Sequence, residues 1–241
     1  MVNSMGTSRY ARWKAGLVEP RKEYDPPGLF DGIRLRFLKL LYEVMFCVIV
    51  SDPAWQRLLI ASVAPKTNCR VLSFGRGCAS VARALALRFP GARVVVADPN
   101  PKSIEKARWS IVRHNIPNLM AIKAPRYGPI PSDKCSFDKV MLVLTFHNRP
   151  PEEKLGVAKE MLRVLRHGGT LHAAAFDKPA VPKERGFLTI TRNLSGPTVA
   201  DSHLDGTWIE FLAKAGFIRI RRQLSYSIGV ARISVVKARK P

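Results

Sequence analysis

Acidic residues are scarce in this chain. There are 18 Asp and Glu against 40 Lys and Arg, a net charge of +22 over 241 residues. The excess is spread along the body and is not confined to a tail. Such a surface attracts polyanions: nucleic acid, anionic lipid headgroups or acidic metabolites. Cysteine is also sparse. The four cysteines, at 47, 69, 78 and 135, form no C-x-x-C pair and no tight cluster with histidine, which argues against a structural zinc site. Isolated cysteines suit a reducing compartment. The longest apolar run, LLYEVMFCVIV (40–50), is broken by Glu43 and too short for a bilayer. The N-terminus has no signal-peptide apolar stretch, so a cytoplasmic protein is expected, able to sit at the periphery of a membrane. Gly-Lys-Ser/Thr does not follow Gly77, which removes a P-loop nucleotidase. A Gly-x-Ser-x-Gly elbow is missing, which disfavours a hydrolase. Internal repeats and low-complexity stretches are lacking too.

What is present is apolar residues, at 46%, enough for the core of one full α/β domain. Residues 1–28 read as a basic N-terminal arm ending in Asp-Pro-Pro-Gly. Residues 29–64 read as helices covering a site. The first helix, 30–50, carries a broad apolar stripe and a basic edge of Arg34, Arg36 and Lys39. Ser51-Asp52-Pro53 then starts a second helix, with a capping side chain before a proline. From 65 to 241 the chain alternates. Strands are expected at 70–74, 93–97, 119–123, 138–144 and 170–175, with helices at 79–89, 101–115 and 152–165 between them. Residues 177–206 read as irregular, 207–215 as a helix, and 217–224 and 227–237 as a terminal hairpin. The rhythm predicts a doubly wound, mostly parallel sheet of seven strands, Rossmann-like, ending in an antiparallel pair.

In such sheets ligands bind beyond the carboxyl ends of the strands. VLSFGRGCAS (71–80) puts Gly75 and Gly77 at the first such end, where a tight turn and a bare helix N-terminus suit a carboxylate or phosphate. A ligand-free tight turn would need the same glycines. VVVADPNP puts Asp98 and Pro99 at the next strand end, 21 residues after Gly77. A carboxylate there can accept both hydroxyls of a ribose, so the pair of loops favours an adenosine-containing ligand. His147, in the loop after the fourth strand, is the best-placed candidate for a general base.

Five ordered segments then resemble the class I S-adenosylmethionine-dependent methyltransferases, on the small-molecule side that includes the quinone C-methyltransferases. They are VLSFGRGCA, VVVADPNPKSIEKAR, SFDKVMLVLTFHNRPPEEK, KEMLRVLRHGGTLHAAAFDKP and LAKAGFIRI, and the likeness runs over about residues 50–237. The resemblance implies S-adenosyl-L-methionine as cofactor. Ser73, Gly75, Arg76 and Gly77 would surround its methionine part, Asp98 and Pro99 its ribose, and Arg126 and Tyr127 its adenine. Thr145, Phe146 and His147 would border the transferred methyl. The family usually has an acid at Ser73, a small residue at Arg76 and an acid near Arg126. The Asn/Asp-Pro-Pro-aromatic motif of DNA amino-methyltransferases is replaced by TFHNRPP. Three readings follow: a methyltransferase for a small or lipid-like acceptor, with an anionic membrane surface as a partner; a degenerate relative that serves as a binding protein; and a nucleic-acid methyltransferase or binder.

Overall fold

A computed structural model describes residues 29–125 and 128–241. Two compact units divide at Phe37 and Leu38. Of the first, only the opening turns of helix α1 (Leu29–Ser51) are described. The N-terminal arm, Arg126 and Tyr127 lie outside the described residues. Everything below concerns the second unit.

Its elements follow the expected alternation. Helix α2 (Pro53–Val63) starts as read: the Asp52 carboxylate accepts the Ala54 amide at 2.7 Å, with proline in the first turn. Strands β1 (Arg70–Gly75) and β2 (Arg93–Asp98) flank α3 (Cys78–Arg88), and α4 (Pro101–Arg113) leads to β3 (Leu119–Lys123). Strand β4 (Phe137–Val143), α5 (Pro151–Val164) and β5 (Leu165–Phe176) complete the parallel part. Strands β6 (Ile218–Ile228) and β7 (Ala231–Arg239) form the antiparallel hairpin. The sheet order is β3-β2-β1-β4-β5-β7-β6, with β7 antiparallel to β5. The reversal of order between β1 and β4 is the point where such sheets bind ligands.

Parallel strands are buried on both faces, so their sequences are nearly continuous apolar runs. Two cores result. Tyr42, Phe46, Trp55, Leu59, Leu85 and Phe187 lie on one face, and Phe137, Met161, Trp208 and Leu212 on the other. No described helix is long and apolar enough to cross a membrane. None of the four cysteines is in a disulfide.

The stretch 177–206, expected to be irregular, instead carries α6 (Gly186–Ser195) and α7 (Pro197–Leu204). Its prolines and glycines had read as breakers. Pro197 stands in the first turn of α7, where a missing N–H costs nothing, and Gly196, at φ +92°, forms the joint between the two helices. The 207–215 helix is a short 3-10 turn (Thr207–Ile209) running into α8 (Glu210–Lys214).

Candidate active site

A cleft of about 850 Å³ opens at the carboxyl ends of β1, β2 and β4. Its walls include Gly75, Arg76, Gly77, Asp98, Pro99 and Thr145. Six of the sequence candidates are thus brought together. The chain reversal at the end of β1 demands glycine twice. Gly75 has φ +123°, and a Cβ there would run into the Thr145 hydroxyl and the Val143 carbonyl. Gly77 has φ +78°, and a Cβ there would lie 2.6 Å from a methyl of Val50 on α1. Both glycines therefore answer to packing as well as to turn geometry. Gly77 caps α3 without any side-chain hydrogen bond and stands in the cleft wall.

Asp98 ends β2 and is 5% exposed. Its Oδ1 accepts the Asn100 amide at 2.8 Å. Burial raises its pKa, and the Asn100 amide and the Arg76 charge work against that rise. Thr145 donates its hydroxyl to the Val143 carbonyl at 2.9 Å and still presents its oxygen lone pairs.

Arg76 is tied to the covering helix. Its guanidinium bonds Glu43 at 2.7 Å and the Tyr42 hydroxyl at 3.0 Å, and lies 4.2 Å from the centre of the Phe46 ring. Sequence reading missed this clamp because its partners lie 33 and 34 residues away. Tyr42 also contacts His147 Nε2 at 3.0 Å. Burial pushes the Tyr42 pKa up to about 12, partly offset by the Arg76 charge. The phenol is therefore protonated. It accepts from Arg76 and shares one hydrogen bond with Nε2, while Nδ1 has no partner among the described residues.

Three sequence candidates, Ser73, Phe146 and His147, do not reach the cleft wall; Phe146 is buried edge-on to Trp208. Ser73 is fully buried within β1, its hydroxyl donating to the Cys78 carbonyl at 3.2 Å. It braces the glycine turn from below, because alternation along the strand aims it away from the opening. His147 is 1% exposed and packed among Tyr42, Phe46, Phe176 and Phe187. The loop after β4 turns inward there, with Leu144 at φ +42°, and carries the ring under α1. Burial first, then the charge of nearby cations, holds His147 well below the ordinary histidine range, so it is neutral. Asn148, Arg149 and Glu153 line the cleft in its place, the last two paired at 3.1 Å. No cluster of metal-ligating side chains occurs among the described residues.

Comparison with known proteins agrees with this geometry. Residues 71–169 match the family described as a methyltransferase domain. The ubiquinone/menaquinone biosynthesis C-methyltransferase UbiE of Hahella chejuensis is 25% identical over 162 residues, 67% of this chain and 63% of that one. The chain spans about half to two thirds of the length of the curated relatives it matches. Among solved structures, a SAM-dependent methyltransferase from Aquifex aeolicus superposes with a TM-score of 0.56 at 18% identity, over 85% of this chain and 97% of that one. The [4+2]-cyclase SpnF superposes with a TM-score of 0.61 at 14% identity, over 78% and 80%. A cyclase on the same scaffold is a reminder that fold alone does not fix chemistry. Residues 71–169 thus resemble a methyltransferase domain in sequence, the strand order is that of the S-adenosylmethionine-dependent methyltransferase fold, and the curated relatives the chain is similar to are quinone C-methyltransferases.

Proposed function

We propose that this chain transfers a methyl group from S-adenosylmethionine to a small, quinone-like acceptor. The observation that carries the proposal is the meeting of the Gly75–Gly77 turn before α3 with Asp98 across one cleft. A volume of about 850 Å³ lies within the ~300–1,000 Å³ range of small-molecule sites. The α3 amides and Arg76 would hold the methionine carboxylate, and Asp98 beside Pro99 the ribose hydroxyls. Arg126 and Tyr127 remain the proposed neighbours of the adenine. When bound, the cofactor supplies an electrophilic methyl on a sulfonium.

The chain's own part is alignment, exclusion of water and custody of one proton. Phe46 and Val50 of α1 wall the cleft on the side of the glycine turn. His147 is the proposed proton acceptor; it lies beneath α1, off the cleft wall, so it serves only where the Tyr42 phenol moves aside. An acceptor hydroxyl that takes the place of the Tyr42 phenol at Nε2 would hand its proton to that nitrogen. The printed name of the Hahella relative, C-methylation in quinone biosynthesis, is what supports the acceptor class. A lipid-like acceptor also fits the outer side of α1, where Leu40, Val44 and Val48 are exposed at helical spacing. They are the proposed contact with an anionic membrane surface.

Calorimetric titration with S-adenosylmethionine, then methyl transfer to demethylmenaquinone carried in anionic vesicles, tests the reading. Saturable heat and a methylated product are expected. No heat at millimolar cofactor would overturn the enzyme and leave a binding protein, a role that the Glu43–Arg76–Tyr42 clamp across the glycine turn would then serve.

A further inference from the structure

At the opposite end of the sheet lies a second hollow, of about 730 Å³. Arg219, Arg221, Arg222, Lys237 and Arg239 line it with Thr170, and no acid does. Arg222 is the one cation of the five with a partner, Asp177 at 2.8 Å. Among the described residues, no carboxylate pairs with the other four.

Cations on β6 have an ordinary explanation. An edge strand is protected from pairing with other chains by its charges. That explanation does not reach β7, which lies between β5 and β6. Lys237 stands directly across from Arg221 in the β6–β7 ladder, and beside His172 in the β5–β7 ladder. Like charges placed directly opposite each other destabilise a sheet. Lys139 of β4 adds to the crowding: its neighbour in β5 is Thr170, which is itself next to Arg239. Both Lys139 and His172 have pKa values pulled down, by burial first and then by surrounding cations that include Lys237. The ladder also breaks register between Ile218 and Arg221, and Arg219, in that bulge, takes the left-handed φ of +53°. A strained backbone at a bulge re-aims a side chain. Folding alone would favour an acid in one of these places.

We propose that this hollow is a second ligand site, for a small molecule bearing two or more phosphate groups. A guanidinium presents a planar fork that matches phosphate oxygens two at a time. A single phosphate carries at most two negative charges, too few for four unpaired cations. The volume of the hollow is within the size range of small-molecule sites. No aromatic side chain lines it, so no base would stack there, which weighs against single-stranded nucleic acid. Its concave form weighs against a flat lipid surface. The site is remote from the glycine turn, and the inference does not depend on the methyl-transfer reading.

Titration of the full chain with tripolyphosphate tests it, alongside thermal melting. One saturable, salt-sensitive event per chain is expected, with a rise in melting temperature. The double variant R221Q/K237Q should bind at least about tenfold more weakly. Its unliganded form should melt no lower than the parent, because a repulsive pair has been removed. R108Q/K159Q removes the same charge from exposed helical positions and should bind as the parent does. Equal weakening in both variants would show diffuse attraction and overturn the site. So would the absence of saturation, or displacement of tripolyphosphate by S-adenosylhomocysteine. Binding of an oligoribonucleotide or anionic vesicles through Arg221 and Lys237, with no effect of tripolyphosphate, would also overturn it in favour of that partner.

Discussion

The two ends of the sheet handle charge in opposite ways. The cleft at the carboxyl ends is balanced: Arg76, Lys106 and Arg149 share its walls with Glu43, Asp98 and Glu153. Two of those cations are locked to two of those acids. The hollow at the other end gathers five cations and no acid. A balanced site can hold a zwitterion such as an amino-acid moiety and keep its own geometry when empty. An unbalanced one carries stored repulsion that only an anion relieves.

The sharpest way to break the cleft end is Gly75→Ala. The added methyl meets the Thr145 hydroxyl and the Val143 carbonyl at a positive φ. A loss of about 2–5 kcal/mol is expected from overpacking and backbone strain together, read as a lowered denaturant midpoint. A loss under 1 kcal/mol would mean the turn has slack.

A second test separates the ends through their histidines. His203, whose Nδ1 bonds the Phe176 carbonyl at 2.7 Å, belongs to the cleft half. His172, held by Ser62 at 2.7 Å and Thr170 at 3.0 Å, belongs to the hollow half. Burial before all else pulls both down to about 3. The unfolded chain therefore binds protons near pH 6.5 that the folded chain refuses until about pH 3. Stability is full above that window and falls as pH drops through it, by about 1.4 kcal/mol per pH unit for each histidine. Proton counting from pH-dependent unfolding should find at least two. Lys237→Gln should raise the His172 titration seen by NMR and leave His203 in place. An equal shift of both would mean that the two ends are not electrically separate.

The smallest effect is expected from Glu43→Gln. The Arg76–Glu43 pair is more than a third exposed on both sides, so its removal should cost less than about 1 kcal/mol. Denaturant unfolding checks this. A larger loss would mark the clamp as a main anchor of α1.

Local signals made most of the fold legible. Asp52 caps its helix as read and Asn100, also before a proline, caps α4 in the same way, because capping is decided within three residues. The glycine turn and Asp98 were legible for the same reason. Illegible features depend on residues far apart in sequence. The Arg76 clamp needs α1 folded over the turn. The like-charged ladder pair needs the β6–β7 register. The burial of His147 needs Phe187, from a stretch that read as irregular. Lys154, fully buried, bonding the Val199 carbonyl and the Ser202 hydroxyl at 2.7 Å each, needs α7 folded against α5.

The contact between Gly77 and Val50 has a consequence for how such sequences evolve. A lineage that gave up methyl transfer would still be held to glycine at 77, because any larger residue would push α1 off its seat. Selection for folding alone would thus preserve the most recognisable part of the cofactor signature long after catalysis had lapsed. Asp98, whose carboxylate props up little more than its own turn, would be free to drift first.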